Sequence, residues 1–407
     1  MSQTTLTGRR AAPAPPPALK DVMATPHVAR LLAGTLLGRL PNSMAPAALV
    51  LLLTHSGATV AFGGALSALY ILASALSQPV KGRLLDRYGQ TRVSGPAALI
   101  NSLSLLTLAT VSAHSQPVLA TVLVAIAGTC TPPLEAGLRA LWSTVVPDSG
   151  KRRVALAADT GSQGLLLVTG PLLAAFLASQ YGPGTALAAT AATGLTGSLI
   201  VLTSAPSRAW SSPAKHHGAR SALHNRSLLQ LLLVLAGVGV ANGGVSVWAV
   251  GMAERHAMDM LTGFIPGAYA AGSLIGGLLY GRRPWPGSTA SHLLAGTAAF
   301  AAAWLPLLTL PGPHPAIALA LLPGLVLPVV ITSSFLAADR LAPTGHLTET
   351  YAWMILSLGV GTASGTALGG TLTAHPLAAS TLPLAGAATA LTVLTASRSR
   401  RATTPTR

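Results

Sequence analysis

Acid is what this chain has least of: nine Asp and Glu stand against 25 Lys and Arg, and charged residues of all kinds reach only 8% of 407. A soluble globular protein carries about 25%, so a water-facing surface of the ordinary kind is excluded. Cysteine occurs once, at Cys130, which rules out an intramolecular disulfide and a cysteine-built metal cage. Aromatic residues make up 4% and do not interleave with the basic ones, so the formal charge of +16 does not describe a nucleic-acid surface. The 11 histidines are scattered and lack the paired spacing of metal ligands. There is no nucleophile elbow and no Walker loop, so neither an enzyme nor a nucleotide-driven machine is expected. Gly359, Gly361 and Gly365 imitate a dinucleotide fingerprint but follow no strand. Gly361, Gly365 and Gly369, every four residues, read instead as a small-residue stripe for helix packing in lipid.

What the chain does have is oil-soluble surface. Hydrophobic residues make up 51% and the mean hydropathy is +0.59. Runs of roughly 20 apolar residues, enough to cross a bilayer, recur from about Val28 to Thr395. They divide into twelve spans. Residues 1–27, proline-rich and polar, are expected to be a disordered cytoplasmic tail with no cleavable leader. Six spans follow in 28–203, a polar loop in 204–226, six more spans in 227–396 and a basic tail in 397–407. Helix 2 is placed at Gly57 to Val80 and helix 4 at Pro117 to Trp142. With twelve spans and both ends on one side, all of the 25 Lys and Arg except Arg39, Arg139 and Arg255 fall in segments on that same side. The positive-inside rule makes that side the cytoplasm and the protein a multi-pass protein of the cell membrane. A gapless shift of 199 residues lays Gly64, Tyr70, Ser74, Gly82 and Arg83 on Gly263, Tyr269, Ser273, Gly281 and Arg282. An even-numbered repeat keeps both copies in the same orientation, giving two parallel six-helix bundles.

The densest run of charge is KGRLLDRYGQTRV, Lys81 to Val93, read as a tight turn between helices 2 and 3. Its Gly82, Asp86, Arg87 and Gly89 are similar to the signature loop of the major facilitator superfamily, G-x-x-x-D-R-x-G-R-R. Gln90 and Thr91 stand where that family has two basic residues, and Arg92 follows one place later. The Thr131-Pro132-Pro133 to Trp142 run and Thr348 to Trp353 resemble actinobacterial members. Gly170-Pro171 in helix 5 is similar to a motif of drug-exporting antiporters in the superfamily. The resemblance implies an all-α transporter with a central cavity, a proton gradient as energy source, no cofactor, and efflux of a small molecule.

Four ionisable groups fall inside spans: Arg39, Glu135, Arg139 and Asp159. Each costs roughly 2.5–3.5 kcal/mol at mid-bilayer, so they must pair or face water. Glu135 and Arg139 are four residues apart on one helix face, and Asp159 is expected at similar depth; the three are candidates for proton coupling or for a gate. Arg39 lies in GRLPNSMAP beside Asn42, between Pro41 and Pro46. It is expected to bind an anionic substrate group, to meet a carboxylate of the neighbouring half, or to fix packing as a buried ion pair. Tyr70, Gln163, Asn242, Trp248, Tyr269, Tyr351 and Trp353 are further candidates for cavity lining, or equally core or interfacial residues. Two transport readings stand: proton-coupled export, and uptake of an anionic nutrient. A non-transporting sensor is the third. The expected partners are the lipid bilayer and a small-molecule substrate, with the chain a monomer.

Overall fold

A computed structural model describes residues 19–111, 115–210, 225–258, 260–282, 285–309, 311–372 and 376–402. Among them there is no strand. The helices are α1 (Leu19–Met23), α2 (Val28–His55), α3 (Val60–Tyr88), α4 (Gln90–Thr110), α5 (Pro117–Thr129), α6 (Leu134–Val145), α7 (Ser149–Tyr181), α8 (Pro183–Leu202), α9 (Ala205–Ala209), α10 (Arg226–His256), α11 (Leu261–Arg282), α12 (Thr289–Trp304), α13 (Pro313–Leu341), α14 (Leu347–Leu372) and α15 (Pro376–Ala402). Among the described residues ten segments are long and apolar enough to cross a membrane, with α5 and α6 counted as one. The long helices α3 and α15 bring the crossings to twelve.

Helices in lipid gain little from hiding apolar surface from one another, so close backbone approach holds them together. Small residues mark those approaches here. A Cβ on Gly197 of α8 would lie 2.1 Å from the Gly38 nitrogen of α2. On α14, the expected stripe packs against α10, where Cβ atoms on Gly361 and Gly365 would meet the carbonyls of Ala236 and Val240 at 2.1 and 2.2 Å.

The first six crossings form one bundle and the last six another. They join at the end where the basic residues gather, called here the basic face. There α7 lies along α11, with Gly161 and Gly164 against Ser273 and Ala270, and Gly82 of α3 lies against Glu349 and Ala352 of α14. One buried apolar cluster joins Ala136 and Ala140 to residues of α10 to α14. At the opposite end a second cluster, with Met44, Leu66, Leu105, Val124 and Leu187, is built from the first bundle alone. Cβ positions on Gly64, Gly263 and Gly267 meet nothing within 4 Å. The bundles are closed on the basic face and apart on the other.

Three boundaries differ from expectation. The Lys81 to Val93 stretch is not a turn: α3 stays helical through Tyr88, Gly89 alone makes the reversal at φ 88°, and α4 starts at Gln90. Nothing in KGRLLDRY disfavours a helix, and only glycine adopts that φ without strain. Gln90 is buried, with its side-chain carbonyl accepting from the Ser207 hydroxyl at 2.7 Å, a place unsuited to the arginine the signature would put there. Helix 4 is broken into α5 and α6, because Pro132 and Pro133 supply no N–H donor. Of the expected tail, residues 1–18 lie outside the described residues, but Leu19–Met23 is a short helix with Val22 fully buried. The middle loop is described only at its margins, where α9 forms; residues 211–224 lie outside the described set.

Replacing Gly197 by Val is expected to destabilise the α2 to α8 contact by at least ~1–3 kcal/mol, read as a lower Tm in detergent. Gly64→Ala, with open space around it, is the matched control and is expected to melt as the parent does.

Candidate functional site

The four charges predicted inside spans come together. Arg39 of α2 reaches Glu135 at 2.9 Å and Asp159 at 3.1 Å; Arg139 of α6 reaches Glu135 at 2.8 Å and Asp159 at 3.0 Å. Each carboxylate bridges both guanidinium groups, so two acids and two bases close an electrically balanced ring. The Gln163 amide donates to Glu135 at 2.6 Å. All five residues belong to the first bundle, so Arg39 finds its carboxylates in its own half.

The ring is not uniformly enclosed. Asp159 is fully buried and the Arg139 side chain only 2% exposed, whereas 17% of the Glu135 side chain remains accessible. Glu135 and Arg39 form part of the wall of a cavity of about 180 Å³, with Asn42, Tyr70, Ser74 and Gln78 from the first bundle and Ile355, Leu356 and Gly359 from α14 of the second. Ser74 and Gln78 join the site beyond the residues expected from the sequence. Their signal is the spacing: Tyr70, Ser74 and Gln78 fall every four residues, placing polar groups on one face of an apolar helix.

Arg139 also faces the second bundle. Its guanidinium carbon sits 3.9 Å from the centre of the Phe335 ring, a cation–π contact in a desolvated setting. Phe335 stacks edge-on to Tyr351, at 5.2 Å between centres, and the Tyr351 hydroxyl donates to Asp339. Asp339 lies 3.8 Å from Arg152 of α7. A chain of contacts thus leaves the ring, crosses to α13 and α14, and returns to the first bundle.

Nearer the basic face, the signature residues hold α3 to α14. The Asp86 carboxylate accepts from the backbone N–H of Thr348 at 3.2 Å and of Glu349 at 2.8 Å. Those N–H groups belong to the first turn of α14, which has no intrahelical acceptor for them and carries the positive end of the helix dipole. Arg83 binds Glu349 at 2.7 Å, and His346 Nδ1 and the Trp353 indole N–H approach the same carboxylate. Trp353 therefore sits at this closure. Arg87 is exposed over the Tyr88 ring, and Arg92 is exposed on α4. In the second bundle the Tyr269 hydroxyl donates to Asn242, Tyr269 packs on Trp304, and Trp248 is buried in the same apolar cluster. No group of three or more His, Cys, Asp or Glu among the described residues is arranged to hold a metal ion.

Residues 31–366 match the family model described as Major Facilitator Superfamily. No curated protein sequence matches the chain. Among solved structures, it is similar to the human organic anion transporter MFSD10 (TETRAN), with TM-score 0.67 and 18% identity over 91% of this chain and 99% of that one. A bacterial homologue of the iron transporter ferroportin, outward-facing with soaked iron, gives TM-score 0.70 and 15% identity over 92% and 99%. FucP in its outward conformation gives 0.65 and 14% over 90% and 97%.

Removing one acid from the ring leaves two buried guanidinium groups on one carboxylate. Asp159→Asn is expected to lose about 3–5 kcal/mol, measured as a fall in Tm. Arg139→Met added to it should restore part of that loss, because the double variant is again charge-balanced; strict additivity in a double-mutant cycle would show the ring does not act as a unit.

Proposed function

Because the chain belongs to the major facilitator superfamily, we propose that it is a secondary active transporter that exports a small molecule in exchange for protons, by opening the cavity at Arg39 and Glu135 to each side in turn. The observation that carries this reading is the cavity itself: both bundles supply its wall, and the buried charges reach it at one point. A rocking of one bundle on the other changes such a site at every cycle. By the positive-inside rule the basic face is cytoplasmic and both ends of the chain lie on that side, so the cavity faces outward in this structure.

Within the ring the roles divide. Arg39 and Glu135, at the cavity wall, meet the solute. Arg139 and Asp159, enclosed and joined to Phe335, are the lock that senses whether the bundles are together. Gly161 and Gly164 make the α7 to α11 seam close enough to act as a pivot, and Gly170, whose Cβ would strike Ser43 of α2, keeps α7 tight on its own bundle. Both placements suit a rocking motion, and the Gly170-Pro171 pair is what favours export within it. The reading takes the chain to act as a monomer in the cell membrane. Uptake of an anionic nutrient is the second reading, favoured by the guanidinium of Arg39 in the wall.

A screen for solutes that raise Tm supplies the substrates to test. In proteoliposomes carrying a proton gradient, export predicts solute movement against the direction of proton flow, abolished by a protonophore. Arg39→Gln is expected to slow it roughly tenfold, the worth of about one charge-assisted hydrogen bond. Movement that ignores the gradient overturns proton exchange; anions moving with the protons favour uptake.

A further inference from the structure

A buried lysine stands outside the balanced ring. Lys81 of α3 is 7% exposed, and its Nζ donates to the Thr131 carbonyl at 2.6 Å and to the Thr131 hydroxyl at 3.0 Å. Both acceptors are neutral, and among the described residues no carboxylate lies within ion-pair distance of it. The charged groups on the neighbouring elements are engaged elsewhere: Arg39 and Glu135 with the ring, Asp86 with the α14 backbone, Glu349 with Arg83 and His346. The titratable group in electrostatic contact with Lys81 is the thiol of Cys130, next to Thr131.

The location gives this ammonium leverage. Thr131 lies in the break between α5 and α6, where the prolines leave carbonyls without their helical partners. Asn101 takes the carbonyl of Ala127 at 2.7 Å and Lys81 takes that of Thr131. Three residues further on, α6 begins, with Glu135 and Arg139. One residue along α3 from Lys81 is Gly82, in contact with α14 at the closure. Lys81 therefore ties the helix that carries the ring to the helix that shuts the basic face. It also reaches the cavity: the Thr131 hydroxyl is 2.8 Å from that of Ser74, which lines the cavity wall.

We infer that Lys81 is a proton-binding site of the transport cycle, charged while the basic face is closed and discharged when it opens. The inference rests on the proton-exchange reading above. The step is a transfer of one proton: the Thr131 hydroxyl, which donates to the Gly128 carbonyl at 3.0 Å here, turns toward Ser74; Nζ gives its proton to Thr131, Thr131 passes its own to Ser74, and Ser74 passes its own to water in the cavity. A neutral amine remains, and its hold on the helix break weakens. Lysine suits this task where arginine does not, since a buried lysine exchanges its proton and a guanidinium keeps it.

The test needs no substrate. Spin labels carried by unnatural amino acids at position 176, toward the end of α7, and at position 260, just before α11, both away from the basic face, report the separation of the bundles in nanodiscs while Cys130 stays intact. In the parent protein the far-open population is expected to fall as pH rises, changing the ratio of the two states by about tenfold or more. Lys81→Arg should stay far-open throughout, and Lys81→Met should hold the far-open population low at every pH. A Lys81→Arg protein that titrates like the parent overturns the assignment while leaving proton exchange standing. A flat response in the parent overturns both. If Lys81→Arg does not fold to a monodisperse protein, Thr131→Val replaces it: a displaced titration midpoint supports the site, and an unmoved one overturns it.

Discussion

The bilayer offers no water to a buried charge, and the ring of Arg39, Glu135, Arg139 and Asp159 is the arrangement through which this chain meets that constraint. Each group alone in lipid would be costly, and all four in one closed ring leave no net charge. The ring fixes the relative positions of α2, α6 and α7, and so the depth at which the cavity can form. Only at Glu135 and Arg39 is it open to solvent, which confines the chemistry available to a solute to one edge of an otherwise closed structure.

The same economy governs the backbone. Where Pro132 and Pro133 interrupt a crossing, the orphaned carbonyls are taken up by Asn101 and Lys81. Where α14 begins, its first N–H groups are taken up by Asp86. In both places a polar side chain from one helix completes another.

Much of this was legible in the residues. The exclusion of lysine and arginine from spans gave the number of crossings, because charge placement reports directly on solvent. The meeting of Glu135 with Arg139 follows from helical spacing, whereas the cost of leaving four charges unpaired required only that they pair or face water. What could not be read was which partners met across the sequence: Arg39 with its own half rather than the other, Asp339 with Arg152, Phe335 beneath Arg139. These depend on how helices rotate about their axes, which packing of glycine against backbone decides. The helical character of Lys81 to Tyr88 was hidden for another reason. Charge marks the edge of a membrane, and a helix does not have to stop there.

The capping of α14 by Asp86 has a consequence for how this protein tolerates change. The contact reads only main-chain N–H groups, which every residue except proline supplies. The cap itself therefore does not depend on which side chain stands at 348 or 349, although burial and the Arg83 pair constrain position 349 separately. All of its identity is stored on the other side, in a single carboxylate of fixed length, where even one additional methylene would misplace the oxygens.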